Sequence, residues 1–334
     1  MEGTFQKINN VCLVILTLIA LTGALVYTKA ILIPFVISLF LYAISSPSIL
    51  WLEKKFHFPR MVCALITIIL FLCVMSIVVL FVVYSLKNFI AGADLYTQKL
   101  ATFFEDVTVL LKTYGIHIDS SNIREEILSL PIFTYLKRFT GSIVSLVGNS
   151  TLILIITSFL IVGEGATKGE NALFKEIHYK ISRYVMTKFT TSFITALLVG
   201  ILLGLFKVDL AFMFAILTFL FNFIPNVGSI IATALPLPVI LLQFGFGLPF
   251  IAISLGSLVI QFTIGNVIEP KVMGESMDLH PVAVLLFLMF WGLVWGLPGM
   301  FMAVPITAIL KIVLSRIETT RPLSELLAGR ISNF

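Results

Sequence analysis

Charge is what this chain has least of. Only 12% of its 334 residues are Asp, Glu, Lys or Arg, against 59% hydrophobic, whereas a soluble domain carries about 25% charged residues. That scarcity excludes an ordinary soluble protein. Apolar runs lie along most of the length, and a nearly uncharged run of about 18 to 20 residues suffices to cross a bilayer, so a soluble domain on a single anchor is excluded too. Cysteine is equally sparse: Cys12, Cys63 and Cys73 all fall inside apolar runs. Neither their number nor their spacing fits a disulfide framework or a metal site, and they are expected to be buried, inert side chains. The four histidines, at 57, 117, 178 and 280, are scattered. No GxSxG occurs, and no Gly-rich loop ending in Lys-Ser/Thr could hold a nucleotide phosphate. The residues of a hydrolase, a membrane protease or an ATP-driven pump are therefore missing, and the chain reads as a non-enzyme with no metal or cofactor. Its formal net charge of +5 sits in short connections, as the positive-inside rule predicts of cytoplasmic loops, rather than in a basic stripe that would hold nucleic acid.

What is present is a succession of spans. Residues 1–86 carry three: about Ile8 to Tyr27, which is too long for a signal-peptide core, then Ile31 to Trp51, then Met61 to Leu86. The basic loop WLEKKFHFPR separates the second from the third. Residues 87–139 change character, with charges in balance and Leu100, Phe103, Phe104, Val107, Leu110 and Leu111 at helical spacing. They predict a small extramembrane helical insertion outside the cytoplasm. A fourth span fills 140–163. Residues 164–189 follow, with five cations mostly opposite an apolar face, the pattern of a basic helix lying in the headgroup plane.

Residues 190–314 are apolar but dense in proline and glycine, which straight spans do not need. Proline inside a helix frees a carbonyl and kinks the axis. Non-helical backbone at membrane depth is tolerated only where protein or a water-filled cavity satisfies it. The expectation is an all-α polytopic membrane protein of about eight spans, some broken or re-entrant in this C-terminal transport region, with 315–334 as a cytoplasmic tail and both termini inside.

Polar groups at membrane depth are candidate functional sites. FNFIPNVGS and GNVIEPKVMG share a layout of amides beside a proline followed by a glycine, and paired interrupted segments point to a transporter's solute site. Asn222, Pro225, Asn226, Gly228, Gln261 and Asn266 are the candidate substrate pathway; Glu269, Pro270, Lys271 and Gly274 are candidates for coupling or gating. The alternative is that these are interfacial turns, with Glu269 paired to Lys271 among headgroups. Gln261 and Asn266 lie more than a helical turn apart, so one can face a cavity while the other caps. Trp291 and Trp295, with Gly292 and Gly296 beside them, fit close helix packing or an interfacial belt.

FNFIPNVGSIIATALPLP, GNVIEPKVMGESMDLHP and WGLVWGLPGMFMAVPITAILK resemble the C-terminal signature of the autoinducer-2 exporter family of bacterial membrane proteins, and LIPFVISLFLYAISSP resembles its first hairpin. The resemblance implies an inner-membrane exporter of small polar signalling molecules such as autoinducer-2, in quorum sensing, and a homo-oligomer with a pentamer favoured. The family's motif residues fall on Pro225, Asn226 and Gly228, and on Glu269 and Pro270 with Lys271 in the usually basic place. Some members resemble cation/proton antiporters, which makes a sodium or proton antiporter with Glu269 as coupling carboxylate the second expectation. A non-transporting membrane scaffold is the third.

Overall fold

A computed structural model describes residues 2–91, 98–99, 102, 150–163, 172–273 and 277–330. The bulk of the expected insertion at 87–139, and Gly274, lie outside the described residues. Every regular element among the described residues is helical. Three long helices come first, α1 (Glu2–Tyr27), α2 (Lys29–Phe56) and α3 (Arg60–Ala91). They are followed by α4 (Ser150–Gly163) and α5 (Ala172–Leu205). The apolar distal half then divides into α6 (Ala211–Phe221), α7 (Val227–Ala234), α8 (Leu237–Phe244) and α9 (Leu248–Phe262). A π-helical stretch, Thr263–Ile268, joins α9 to α10 (Glu269–Met273). The chain ends in α11 (Pro281–Trp295), α12 (Leu297–Ser315) and the short α13 (Arg321–Leu327).

Six helical stretches among the described residues are long and apolar enough to cross a membrane: Lys29–Phe56, Arg60–Phe81, Lys175–Leu205, Val227–Phe244, Leu248–Met273 and Leu297–Ser315. Shorter apolar helices lie between them. At 1.5 Å per residue, α6 with 11 residues is about 16 Å long and α11 with 15 about 22 Å, both short of a hydrocarbon core of roughly 30 Å. The expected broken segments are thus real breaks, set by the turn at Asn222–Asn226, by Pro236, by Gly245–Gly247 and by Gly296.

One expected boundary is absent. The basic stretch and the following span are a single helix, α5, with no interruption at Phe189 or Thr190. Between Ala172 and Val199 there is no proline or glycine to stop it. Two of the three cysteines also depart from expectation: Cys63 is buried, but Cys12 and Cys73 are exposed, on the outward faces of apolar helices.

The chain forms two compact units, one of residues 1–65, 150–186 and 275–334, the other of 66–149 and 187–274. In the first, α11 and α12 make a hairpin about Gly296, whose φ of +68° suits glycine. A Cβ on Gly299 would lie 2.0 Å from the Trp291 carbonyl oxygen, so only glycine allows the two helices to approach this closely. Trp291 and Trp295 are both buried, with ring centroids 4.8 Å apart, and Trp295 Nε1 donates to the Leu25 carbonyl at 3.0 Å. They pack; they do not form an interfacial belt. The expected tail is no free tail either: α13 packs on α12, Leu327 accepts from the His280 backbone N–H, and Asp278 receives Lys311 and Arg330.

In the second unit small residues bring helices together, as membrane packing requires. A Cβ on Gly200 would meet that of Ala215 at 2.9 Å, and one on Gly256 would meet the Leu202 side chain at 2.9 Å. Around these contacts Val199, Leu203, Met213, Phe214, Ile240 and Ile253 form an apolar core.

Candidate functional site

The apolar core gives way to polar groups along three helices of the second unit. Read backwards from Leu203 and Val199, the buried stripe of α5 continues through Thr195, Ser192, Thr191 and Lys188, at the i, i+3, i+4, i+7 spacing of one helix face. On α6 it passes from Phe214 and Leu217 to Thr218, then to Asn222 just beyond the helix; on α9 it passes from Ile253 to Ser257 and Gln261. The polar ends of α6 and α9 meet. Gln261 Nε2 donates to Asn222 Oδ1, and both residues are more than nine-tenths buried. An amide hidden in an apolar surround without a partner loses its hydration uncompensated, and this pairing supplies one partner to each.

The chain leaves α6 through a tight turn. Ile224 N–H donates to Phe221 O, and Val227 N–H reaches Pro225 O at 2.6 Å across Asn226. Asn226 takes φ +57° and ψ −54°, a positive-φ γ-turn that is strained for most residues and eased by asparagine's tolerance of the left-handed region. Its side chain is exposed, Pro225 is half-buried and Gly228 is buried. A Cβ at Gly228 would sit 1.7 Å from the Phe221 carbonyl oxygen, so the N-terminus of α7 folds back against the end of α6 only with glycine there.

Glu269 follows the π-helical stretch, and its N–H donates to Ile264 O, five residues back. Such π segments are rare and frequent at functional sites. Next comes Pro270, which has no N–H to give, so the ladder is already broken at that position. Glu269 is not paired with Lys271, which is exposed and forms no ion pair among the described residues. Its partner is Lys188 from α5: Nζ lies 2.5 Å from Oε1, and Thr191 Oγ1 donates to Oε2 at 3.5 Å. The lysine side chain is 7% exposed and the glutamate 20%. Two charges this far from water need each other, because losing one leaves the other uncompensated.

Of the residues expected from sequence, the structure brings Asn222 together with Gln261 and sets Glu269 against a new partner. Asn266, Pro270 and Lys271 are exposed, which agrees with Gln261 and Asn266 facing different surroundings. Lys188 was not anticipated. Its signal lay in the stripe Lys188, Thr191, Ser192, Thr195, legible only once α5 is recognised as one helix rather than an interfacial helix followed by a span. The second unit thus holds a neutralised buried ion pair and a buried amide pair, polar groups in an apolar surround.

A chain from Haemophilus influenzae described as a transport protein is 29% identical over 346 residues, covering 98% of each chain. One from Borreliella burgdorferi, described in the same terms, is 28% identical over 337 residues, covering 97% of this chain and 91% of its own. The AI-2 transport protein TqsA of Escherichia coli is 25% identical over 313 residues, 90% of each. The model of the AI-2E family transporter matches residues 15–319, nearly the whole length, and this multi-pass membrane protein belongs to that transporter family.

Proposed function

We propose that this chain exports a small polar signalling molecule of the autoinducer-2 kind across the bacterial inner membrane as a secondary transporter, with both termini in the cytoplasm. The observation that carries this reading is the polar seam: Asn222 with Gln261 and Lys188 with Glu269, buried among apolar helices of one unit. Groups so placed are costly in a membrane protein and mark solute or ion pathways. Breaks in the helices beside the seam supply the irregular backbone that transporter sites use. The name of the TqsA relative supports the choice of solute, and the resemblance to the family favours assembly as a homo-oligomeric ring of five as part of this proposal.

The test is uptake of labelled autoinducer-2 into vesicles carrying the purified chain. Gln261→Leu is expected to lower uptake at least tenfold while leaving the folded protein recoverable, and uptake equal to that of protein-free vesicles for the unaltered chain rejects the reading. A second reading, sodium or proton antiport coupled at Glu269, is favoured by one observation. This carboxylate is four-fifths buried and its partner is a lysine that a proton or cation could displace. Proton flux that follows a sodium gradient and ignores autoinducer-2 selects it.

A further inference from the structure

We propose that the turn between α2 and α3 binds the headgroup of an anionic phospholipid, held by Lys54 and Lys55 beside a cluster of exposed aromatic rings. The site lies wholly in the first unit and is independent of the transport reading.

The depth of the turn follows from α2. No Asp, Glu, Lys or Arg lies between Lys29 and Glu53, so this stretch can sit in hydrocarbon. From Lys29 to Trp51 the helix rises about 33 Å at 1.5 Å per residue, close to a hydrocarbon core of roughly 30 Å. With Lys29 at one boundary, Trp51 reaches the other, the headgroup level where tryptophan is enriched.

Around Trp51 the fold builds an aromatic cluster. Helix α2 ends on His57, whose φ of +55° and N–H bond to the Glu53 carbonyl close the last turn, as left-handed residues do at helix ends. Past this reversal Phe58 stacks on Phe56, with centroids 5.7 Å apart and planes 11° from parallel. Phe56 in turn meets Trp51 edge to face at 6.0 Å. Lys55 Nζ stands 4.6 Å from the Trp51 ring centroid and 5.8 Å from that of Phe56, within range for attraction between a cation and a ring face. The rings therefore fix where this ammonium stands. The cluster is nevertheless open: Trp51 is 55% exposed, Phe56 49% and Phe58 43%.

The charges select what covers it. Glu53, the one acid of the turn, faces Arg60 at 4.0 Å. Lys54 and Lys55 are exposed and have no carboxylate partner among the described residues. Both help to offset the carbonyl end of α2, but that task needs no aromatic seat. Two uncompensated ammonium groups beside open rings match a lipid, whose phosphate meets the cations while its acyl chains lie against the rings. A soluble anion would leave the rings bare, and a zwitterionic lipid brings a cation of its own. Basic residues at a membrane surface favour anionic lipids for the same reason.

Trp51 is its own reporter, because the other two tryptophans, Trp291 and Trp295, are each 7% exposed. The full-length chain is reconstituted into vesicles in which either phosphatidylglycerol or phosphatidylcholine carries brominated acyl chains, which quench a neighbouring indole. Quenching is expected to report an affinity for phosphatidylglycerol about tenfold above that for phosphatidylcholine. Lys54→Gln and Lys55→Gln should each lower that preference about threefold, and the double variant should abolish it. Lys55→Arg, which keeps the charge over the ring, should retain it, and Trp51→Phe should lose the preferential quenching. Equal quenching by the two lipids overturns the proposal, as does shielding of Trp51 from both, which a second copy or a partner protein on this face would cause. Preference that survives in the double lysine variant or in Trp51→Phe also overturns it. So does preference removed by inorganic phosphate at constant ionic strength, since the site would then take a soluble anion.

Discussion

Lys188 and Glu269 form a buried ion pair across 81 residues of sequence, joining the middle of α5 to the first residue of α10. No other ion pair among the described residues has a lysine as deeply buried. Removing either partner strands the other. Lys188→Met alone, or Glu269→Gln alone, should destabilise the protein by about 2 to 4 kcal/mol, below the upper range for such pairs because the glutamate keeps some exposure. The double variant should recover more than half of the loss. Thermal unfolding of all four proteins in one detergent measures the coupling, and additive losses would count against a mutually dependent pair.

Asn226 separates two roles by its backbone. If its task is to hold φ at +57°, Asn226→Gly keeps or slightly raises stability and leaves transport intact, whereas Asn226→Ala costs about 1 kcal/mol or more. Transport lost in the glycine variant, with the fold retained, would instead assign the side chain a direct part in the solute path.

Two glycines of the distal half should respond in opposite ways to alanine. At Gly228 the new methyl would strike the Phe221 carbonyl at 1.7 Å, and backbone cannot step aside as a side chain can. The yield of folded protein on size-exclusion chromatography should collapse. At Gly245, where φ is +65° and ψ −171° but no atom lies within 4 Å of the added carbon, the cost is conformational only, up to about 3 kcal/mol, and the variant should still fold, with lower stability.

Gly329→Ala should loosen the C-terminal helix. Its φ of +77° is unfavourable for alanine, and the methyl would approach the His280 ring to 2.4 Å. Asp278, which accepts from Lys311 and Arg330, would still anchor the segment in part. Limited trypsin digestion should therefore cut after Arg330 several times faster than in the unaltered protein, and identical cleavage rates would show that the contact does not hold α13.

Much of this architecture was legible in the residues. Scarcity of charge and long apolar runs specify a polytopic helical chain because lipid leaves backbone polar groups no other partner. Prolines and glycines beyond Leu210 mark the breaks because each removes a hydrogen bond or permits a backbone turn that other residues resist. Asn222 and Gln261 stand out as amides in apolar surroundings, yet their pairing could not be read, since it depends on α7 and α8 returning the chain so that the end of α9 meets the end of α6. Lys188 was obscured by local context. Its nearest basic neighbours on α5, Lys175, Lys180 and Arg183, suit an interfacial face, and only helix continuity carries Lys188 inward. Glu269 was legible as a candidate, but adjacency in sequence suggested Lys271, which an α-helix turns about 200° away from it.

The π-helical winding of Thr263–Ile268 fixes the compass bearing of everything after it. Each residue advances an α-helix by about 100°, and the wide turn accommodates one residue more than ordinary winding would. Without that surplus, the carboxylate of Glu269 would swing roughly a quarter-circle around the axis and no longer look toward α5. The acid therefore owes its meeting with the lysine to a miscount in the coil that precedes it.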